Sequence, residues 1–233
     1  MKWLIRKIKN LFKSKKPSEP EREPERPTNS NKEIFGLYPE AIFLDDLPKL
    51  KRPYKFGAWP EVYIIHFTAG WQKRTGRDFM KSFLKRGLCT DFLDQDGKIF
   101  QQREGNRGGY HAGKSSFKGR SSVSRFAPGI EIACAGKLKE KDGKLVSWFN
   151  KVVPKEKARY VTREMGYVHS GWYERYTEAQ EESLAKFLAW QMKMGVKYII
   201  GHDEVAPDRK NDPGGSLSLP LSEFVKQRVK PLV

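Results

Sequence analysis

Two short apolar runs constrain this chain more than anything else in it. Val62-Tyr63-Ile64-Ile65 and Val196–Ile200 are rich in β-branched and aromatic residues. Both are short for a helix, and such runs read as strands buried in a sheet. Each leads to a histidine: His66 follows directly, and His202 follows Gly201. Ligands gather outside the C-terminal ends of strands in open sheets. A fold that brings the two strands together therefore joins two imidazoles 136 residues apart in sequence.

Helical patterns alternate with these strands. Residues 77–86 place Phe79, Met80, Phe83 and Leu84 on one face, with Gly87 as the stop. Thr177-Glu178-Ala179-Gln180 fits a capping box opening a long helix that ends at Gly195. Leu221, Phe224, Val225 and Val229 suggest a closing helix. Phe92-Leu93 and Ile99-Phe100 flank Asp96-Gly97 and read as a hairpin. Gly129–Ala135 alternates as a strand, while residues 137–176 are rich in lysine and aromatics with little periodicity and read as an excursion, a hairpin and loop. The expected architecture is α/β: a single mixed β-sheet flanked by helices, with a separate basic amphipathic N-terminal helix.

That N-terminal helix is expected over residues 1–16, which hold seven Lys/Arg and no acid, with Trp3, Leu4, Ile5, Ile8, Leu11 and Phe12 at helical spacing. Such a helix can lie in the headgroup layer of an anionic membrane; a solvated basic tail, or a helix docked on the body, fits the same pattern. Arg6, Lys7 and Lys9 interrupt any apolar stretch of secretion-signal length, so the chain is expected to be made in the cytoplasm without a signal peptide. Residues 17–33 alternate Pro and Glu and read as an extended linker. Residues 34–233 form the expected globular domain. Of the formal net charge of +17, residues 1–16 carry +7 and residues 17–33 carry −2, leaving +12 on the body. A surface this basic favours a polyanion. Two cysteines exclude a disulfide scaffold and a four-thiolate zinc knuckle, and no apolar run approaches the ~20 residues of a membrane span.

The segment Gly201–Gly215 leaves a buried strand and runs through a polar loop holding Pro207 and Pro213. Asp212 can fold back beside His202. Two His and one carboxylate leave the fourth tetrahedral position of Zn²⁺ open, the pattern of a catalytic site. Lys210 can aim its ammonium at charge developing on a substrate oxygen. Equally, Asp212 can cap a turn and Lys210 be solvated. Glu131 points away from the face shared by Ile130, Ile132 and Cys134, between the small residues Gly129 and Ala133. An acid in that setting has a raised pKa, as a general acid/base needs; a structural Glu paired with one of the many cations is the alternative. His111 sits in a Gly-rich polar loop, as a ligand-facing residue or as a loop histidine with a hydrogen-bonding job.

HFTAG (66–70), DQDGKIFQ (94–101), YHAGKSS (110–116), GIEIACAG (129–136), YTEAQ (176–180) and GHDEVAPDRKNDPG (201–214) follow one another in a known order. With them the chain resembles the zinc-dependent N-acetylmuramoyl-L-alanine amidases of the type 2 amidase and peptidoglycan-recognition superfamily, in the branch with a His-His-Asp metal site. The resemblance covers roughly residues 60–215. It implies that His66, His202 and Asp212 hold one Zn²⁺ per chain, that Glu131 works as the acid/base on the attacking water, that Lys210 supports the oxyanion, and that His111 lines the substrate groove. It implies hydrolysis of the amide between N-acetylmuramic acid and L-alanine. Thr90-Asp91-Phe92 and Asp208 depart from the family pattern, and residues 137–176 are an insert that can reshape the groove.

Peptidoglycan or muropeptides are thus the expected partners, an anionic membrane is a candidate partner for residues 1–16, no nucleic-acid motif accompanies the charge, and a monomer is expected. The chain is expected to act at the bacterial cell wall, with a phage endolysin as one plausible source. A recognition module that binds muropeptide without cutting it is the competing reading; the full set His66, His202, Asp212, Glu131 and Lys210 counts against it.

Overall fold

The computed structural model describes residues 37–56, 60–70, 75–102 and 107–233. The basic helix expected over residues 1–16 and the linker over 17–33 lie outside the described residues.

In chain order the first elements are strands β1 (Ile42–Phe43), β2 (Tyr54–Lys55) and β3 (Val62–Phe67), helix α1 (Gly76–Arg86), and strands β4 (Asp91–Leu93), β5 (Ile99–Gln101), β6 (Arg107–Gly108), β7 (Ser116–Phe117), β8 (Arg120–Ser121) and β9 (Gly129–Ile132). There follow β10 (Lys137–Lys141), β11 (Lys144–Val146), β12 (Val152–Val153), β13 (Ala158–Val161) and β14 (Gly171–Glu174). Helix α2 (Glu178–Lys193), β15 (Tyr198–Gly201), the short helix α3 (His202–Val205) and α4 (Leu221–Phe224) complete the chain.

The central sheet has six strands in the order β1-β5-β4-β9-β3-β15. Its pairs are parallel except β4–β5, the hairpin expected around Asp96-Gly97. The apolar runs of β3 and β15 are neighbours, with Ile64 opposite Ile200 and Ile65 opposite Gly201.

Strand parity decides what each face holds. Tyr63 and Ile65 of β3, with Ile130 and Ile132 of β9, pack with Leu184, Phe187 and Leu188 of α2. The capping box of α2 forms as expected: Thr177 accepts from Gln180 N, and Gln180 accepts from Thr177 N. The opposite face is divided. Phe79, Met80, Phe83 and Leu84 of α1 cover Phe92 and Ala133, with the Phe79 and Phe92 rings stacked at 5.0 Å. Val62, Ile64 and Ile200 are covered by Ala112, Val123, Ala127 and Val205. Between these two apolar clusters, on the same face, lie the odd partners His66 and Glu131.

The 137–176 stretch holds more than a hairpin and loop. It forms a five-stranded antiparallel sheet, β12-β11-β10-β14-β13. Its strands are two to five residues long, and Leu138, Leu145 and Val153 are inward side chains flanked by lysines or other exposed positions. So little apolar material per strand leaves no periodicity to read. No helix among the described residues is long and apolar enough to cross a membrane.

Candidate metal centre and acid/base

Three of the chain's four histidines meet at one place. β3 delivers His66, and Glu131 of β9 is its register partner on the adjacent strand. His202 opens α3 immediately after β15. The loop beyond α3 turns back because Asp203 N–H donates to the Asp212 carbonyl at 2.8 Å, and Lys210 N–H to Ala206 at 3.0 Å. Asp212 thereby lies beside His202, as its sequence setting allows. His66, His202 and Asp212 are all buried, and each offers a ligand atom within 4.8 Å of the others.

Hydrogen bonds behind the two rings fix which nitrogens are available. The Ala127 carbonyl can only accept, so His111 Nε2 donates to it at 2.8 Å. His111 Nδ1 is then an acceptor, and it meets His66 Nε2 at 2.7 Å. His66 Nε2 therefore carries the proton, and His66 Nδ1 keeps a bare lone pair. The Ala112 carbonyl acts likewise on His202, which donates from Nε2 at 3.1 Å. Both Nδ1 atoms face Asp212 Oδ2, at 2.9 and 3.0 Å. Two lone pairs and a carboxylate oxygen converging in a dry site repel one another unless a cation sits among them. Histidines that donate their far nitrogen to a fixed acceptor are the usual ligands of zinc. The donor set fits a zinc ion.

Burial pushes His66 down to about 4 despite the opposing pull of Asp212, and burial holds His111 well below the usual histidine range. Both rings are neutral near pH 7. Glu131 goes the other way. Burial, helped by the negative Asp212, raises it to about 8, and the charges of Lys210 and Arg86 only partly offset this. Its Oε2 is buried with no hydrogen-bond partner among the described residues. In the metal-free chain Glu131 is thus held largely protonated near neutral pH. Lys210 is half-buried, and its charge bears on both His66 and Glu131.

Residues 57–215 match the family profile of N-acetylmuramoyl-L-alanine amidase (Amidase_2). The chain belongs to the N-acetylmuramoyl-L-alanine amidase family. Solved structures share its fold. A selenomethionine derivative of AmpD is 20% identical over 85% of this chain and 97% of that one, with a TM-score of 0.50. The endolysin amidase LysCS from Clostridium intestinale URNW is 16% identical over 82% of this chain and 96% of that one, with a TM-score of 0.50. AmiD from E. coli, in complex with anhydro-N-acetylmuramic acid-L-Ala-D-γ-Glu-L-Lys, is 19% identical over 76% of this chain and 61% of that one, with a TM-score of 0.51. No curated protein matches the sequence.

Within this amidase, His111 does not face a groove through its ring nitrogens, which are both engaged behind His66; the small Gly129 admits the ring, since a Cβ there would lie 3.0 Å from it. The half-exposed neighbour Tyr110 takes the outward position. Arg209, which the sequence reading passes over, holds the loop together: it bonds the carbonyls of Lys114 (Nε, 2.9 Å) and of Ala112, the same oxygen that fixes His202. Asp91 is a buried acceptor for Tyr63 and Gln101, each at 2.6 Å. Cys89 and Cys134 are buried free thiols.

Proposed function

We propose that this amidase is zinc-dependent and hydrolyses the amide joining the lactyl group of N-acetylmuramic acid to the L-alanine of the stem peptide. The observation that carries the reading is the convergence of two proton-free Nδ1 atoms on one ionised carboxylate, with Glu131 on the adjoining strand, its Oε2 without a hydrogen-bond partner among the described residues. His66, His202 and Asp212 would hold the ion. Zinc bound there would supply Lewis acidity toward an amide carbonyl and a water whose pKa falls toward ~7.

The chain's own residues do the rest. His111 and the Ala112 carbonyl keep the two ligand rings in the tautomer that presents Nδ1. Glu131 takes the proton of the attacking water on its free carboxyl oxygen and hands it to the departing L-alanine nitrogen. A cation held by His66, His202 and Asp212 would favour the ionised form of this carboxyl over the burial that raises it in the metal-free chain, leaving it able to take that proton. Lys210 places a positive charge near the oxygen that becomes anionic as water adds.

Digestion of muropeptides followed by mass spectrometry tests this reading. Intact stem peptides beginning with L-Ala are expected, and their release should cease on chelation and in Glu131→Ala. Cleavage within the glycan or at a peptide crosslink overturns the assigned bond. Muropeptide binding without cleavage by the zinc-loaded chain establishes the recognition-module alternative.

A further inference from the structure

The five-stranded sheet of residues 137–176 touches the surroundings of the centre at two places. Its Tyr173 ring lies against Gly214, two residues past Asp212, where a Cβ would be 2.5 Å from it. Its β11–β12 hairpin reaches the chain that leaves β3: Trp148 Nε1–H donates to the Ala69 carbonyl at 2.6 Å. Ala69 stands three residues past His66, so the two backbones lie within about 10 Å of each other. The same stretch runs on beside the strand of Glu131, with Thr68 N–H donating to the Ile132 carbonyl at 2.9 Å and Gly70 N–H to that of Cys134 at 3.2 Å. Trp148 is thereby fastened next to the strand ends that carry His66 and Glu131.

Trp148 is 69% exposed. A lone exposed apolar side chain is ordinary on a protein surface, but this one is held in a set orientation. The hairpin tip is closed by Ser147 N–H donating to the Lys151 carbonyl at 2.8 Å and Lys151 N–H to Ser147 Oγ at 3.0 Å. The one polar atom of the indole is committed to Ala69, and the ring meets Phe149 edge to face, with centroids 5.5 Å apart and planes at 88°. Ala69 itself is left-handed at φ 44°, a conformation that a side chain disfavours. A flat ring of fixed direction is left facing solvent. Beside it lies a pocket of about 130 Å³, with Gly70, Ala135, Phe149 and Val153 among its walls and polar groups from Glu174, Lys151 and Lys157.

We propose that Trp148 determines specificity for the glycan: its ring stacks on the N-acetylated sugar next to the muramic acid whose amide is cut, and the adjoining pocket takes the acetamido group of that sugar. The inference rests on the amidase reading and names the sugar that the second sheet selects. The substrate has a charged peptide arm and an uncharged glycan arm, and an indole with its N–H engaged suits the second. A pyranose presents a face of C–H bonds that packs on an aromatic ring while its hydroxyl edge stays in water, and tryptophan offers a large apolar face for it. An acetamido group joins a methyl to an amide, which matches a pocket of mixed apolar and polar walls. The muramic acid that carries the lactyl group occupies the space over His66 and Glu131, so the hairpin tip to their side meets the sugar that follows.

Two measurements on the full chain test this. The six tryptophans give six indole N–H signals in nitrogen-15 NMR spectra. The one missing in Trp148→Phe should shift on titration with tri-N-acetylchitotriose, and much less with cellotriose, which has hydroxyls in place of the acetamido groups. In cleavage assays on the zinc-loaded chain, the KM of the N-acetylglucosaminyl-N-acetylmuramyl peptide should lie roughly five- to tenfold below that of the N-acetylmuramyl peptide. Trp148→Ala should close this gap by raising the KM of the disaccharide substrate, and Trp148→Tyr, which keeps a ring, should preserve part of it. A Trp148 signal that ignores tri-N-acetylchitotriose or moves equally with cellotriose overturns the proposal, as does a gap that survives Trp148→Ala. An equal rise in KM for both substrates also overturns it, because the ring then only pins the hairpin. If the signal responds to the acetylated sugar while neither peptide is cut, the sugar assignment stands and the amidase reading fails; cleavage of both peptides with equal KM by the wild type leaves the amidase reading and sinks the sugar assignment.

Discussion

Glu131 is held by burial in a state that depends on pH. Its pKa in the fold is about 8, against ~4.3 for an exposed Glu. Below the unfolded value both states hold the proton, and the residue does not destabilise the fold. Between that value and about 8 the unfolded chain releases its proton while the folded chain keeps it, so stability falls as pH rises. In the zinc-free chain, Glu131→Gln should melt like the wild type near pH ~4 and become progressively more stable than it toward pH ~8, by at most about 1.4 kcal/mol per pH unit. A gap independent of pH in urea titrations would show that burial is not what shifts the carboxyl. His111 acts at the same scale through its hydrogen bond to His66 Nε2. His111→Phe should weaken zinc roughly 10- to 100-fold in chelator competition and remove the His66 Nε2–H signal from nitrogen-15 NMR spectra. His111→Gln, which keeps an acceptor, should retain most of both. Unchanged affinity in His111→Phe would mean that the ring is merely packed there.

At the scale of elements, α1 and α2 hold the sheet from opposite faces, and each has a position whose loss is calculable. Phe92 is fully buried beneath α1, and Phe92→Ala should cost about 3–5 kcal/mol in denaturant titration. Thr177 caps α2, and Thr177→Ala should cost about 1 kcal/mol; a loss at Thr177 as large as that at Phe92 would mean that the cap also holds the sheet, through the Gln180 bond to the Ala133 carbonyl at 2.9 Å. These elements are legible in the sequence because each repeats its apolar residues at a helix or strand period, and because Thr177, Gln180 and Gly87 punctuate them. The second sheet is not legible, since strands such as Lys137–Lys141 contribute a single inward leucine. The meeting of His66 and His202 is legible from two strands ending in histidine. The tautomer lock is not, because it depends on the carbonyls of Ala127 and Ala112, and every residue has a carbonyl. Arg209 is hidden for a similar reason: among 45 Lys and Arg, nothing marks the one that clamps a loop.

For the molecule as a whole, the net charge of +17 sets how it meets an anionic wall. Binding to purified wall should weaken as salt rises. If residues 1–16 engage membrane, deleting residues 1–33 should impair lysis of whole cells more than digestion of purified wall; equal losses count against a membrane role. Every step of the proposed chemistry requires the three buried donors to share an ion, so the most direct measurement is the zinc content of the purified full-length chain, with the metal located by anomalous X-ray scattering. The account predicts one zinc per chain beside His66, His202 and Asp212, retained in Lys210→Ala and lost in His66→Ala, His202→Ala and Asp212→Ala while the fold persists. A chain that takes up no zinc, or that keeps it in all three ligand variants, would contradict it.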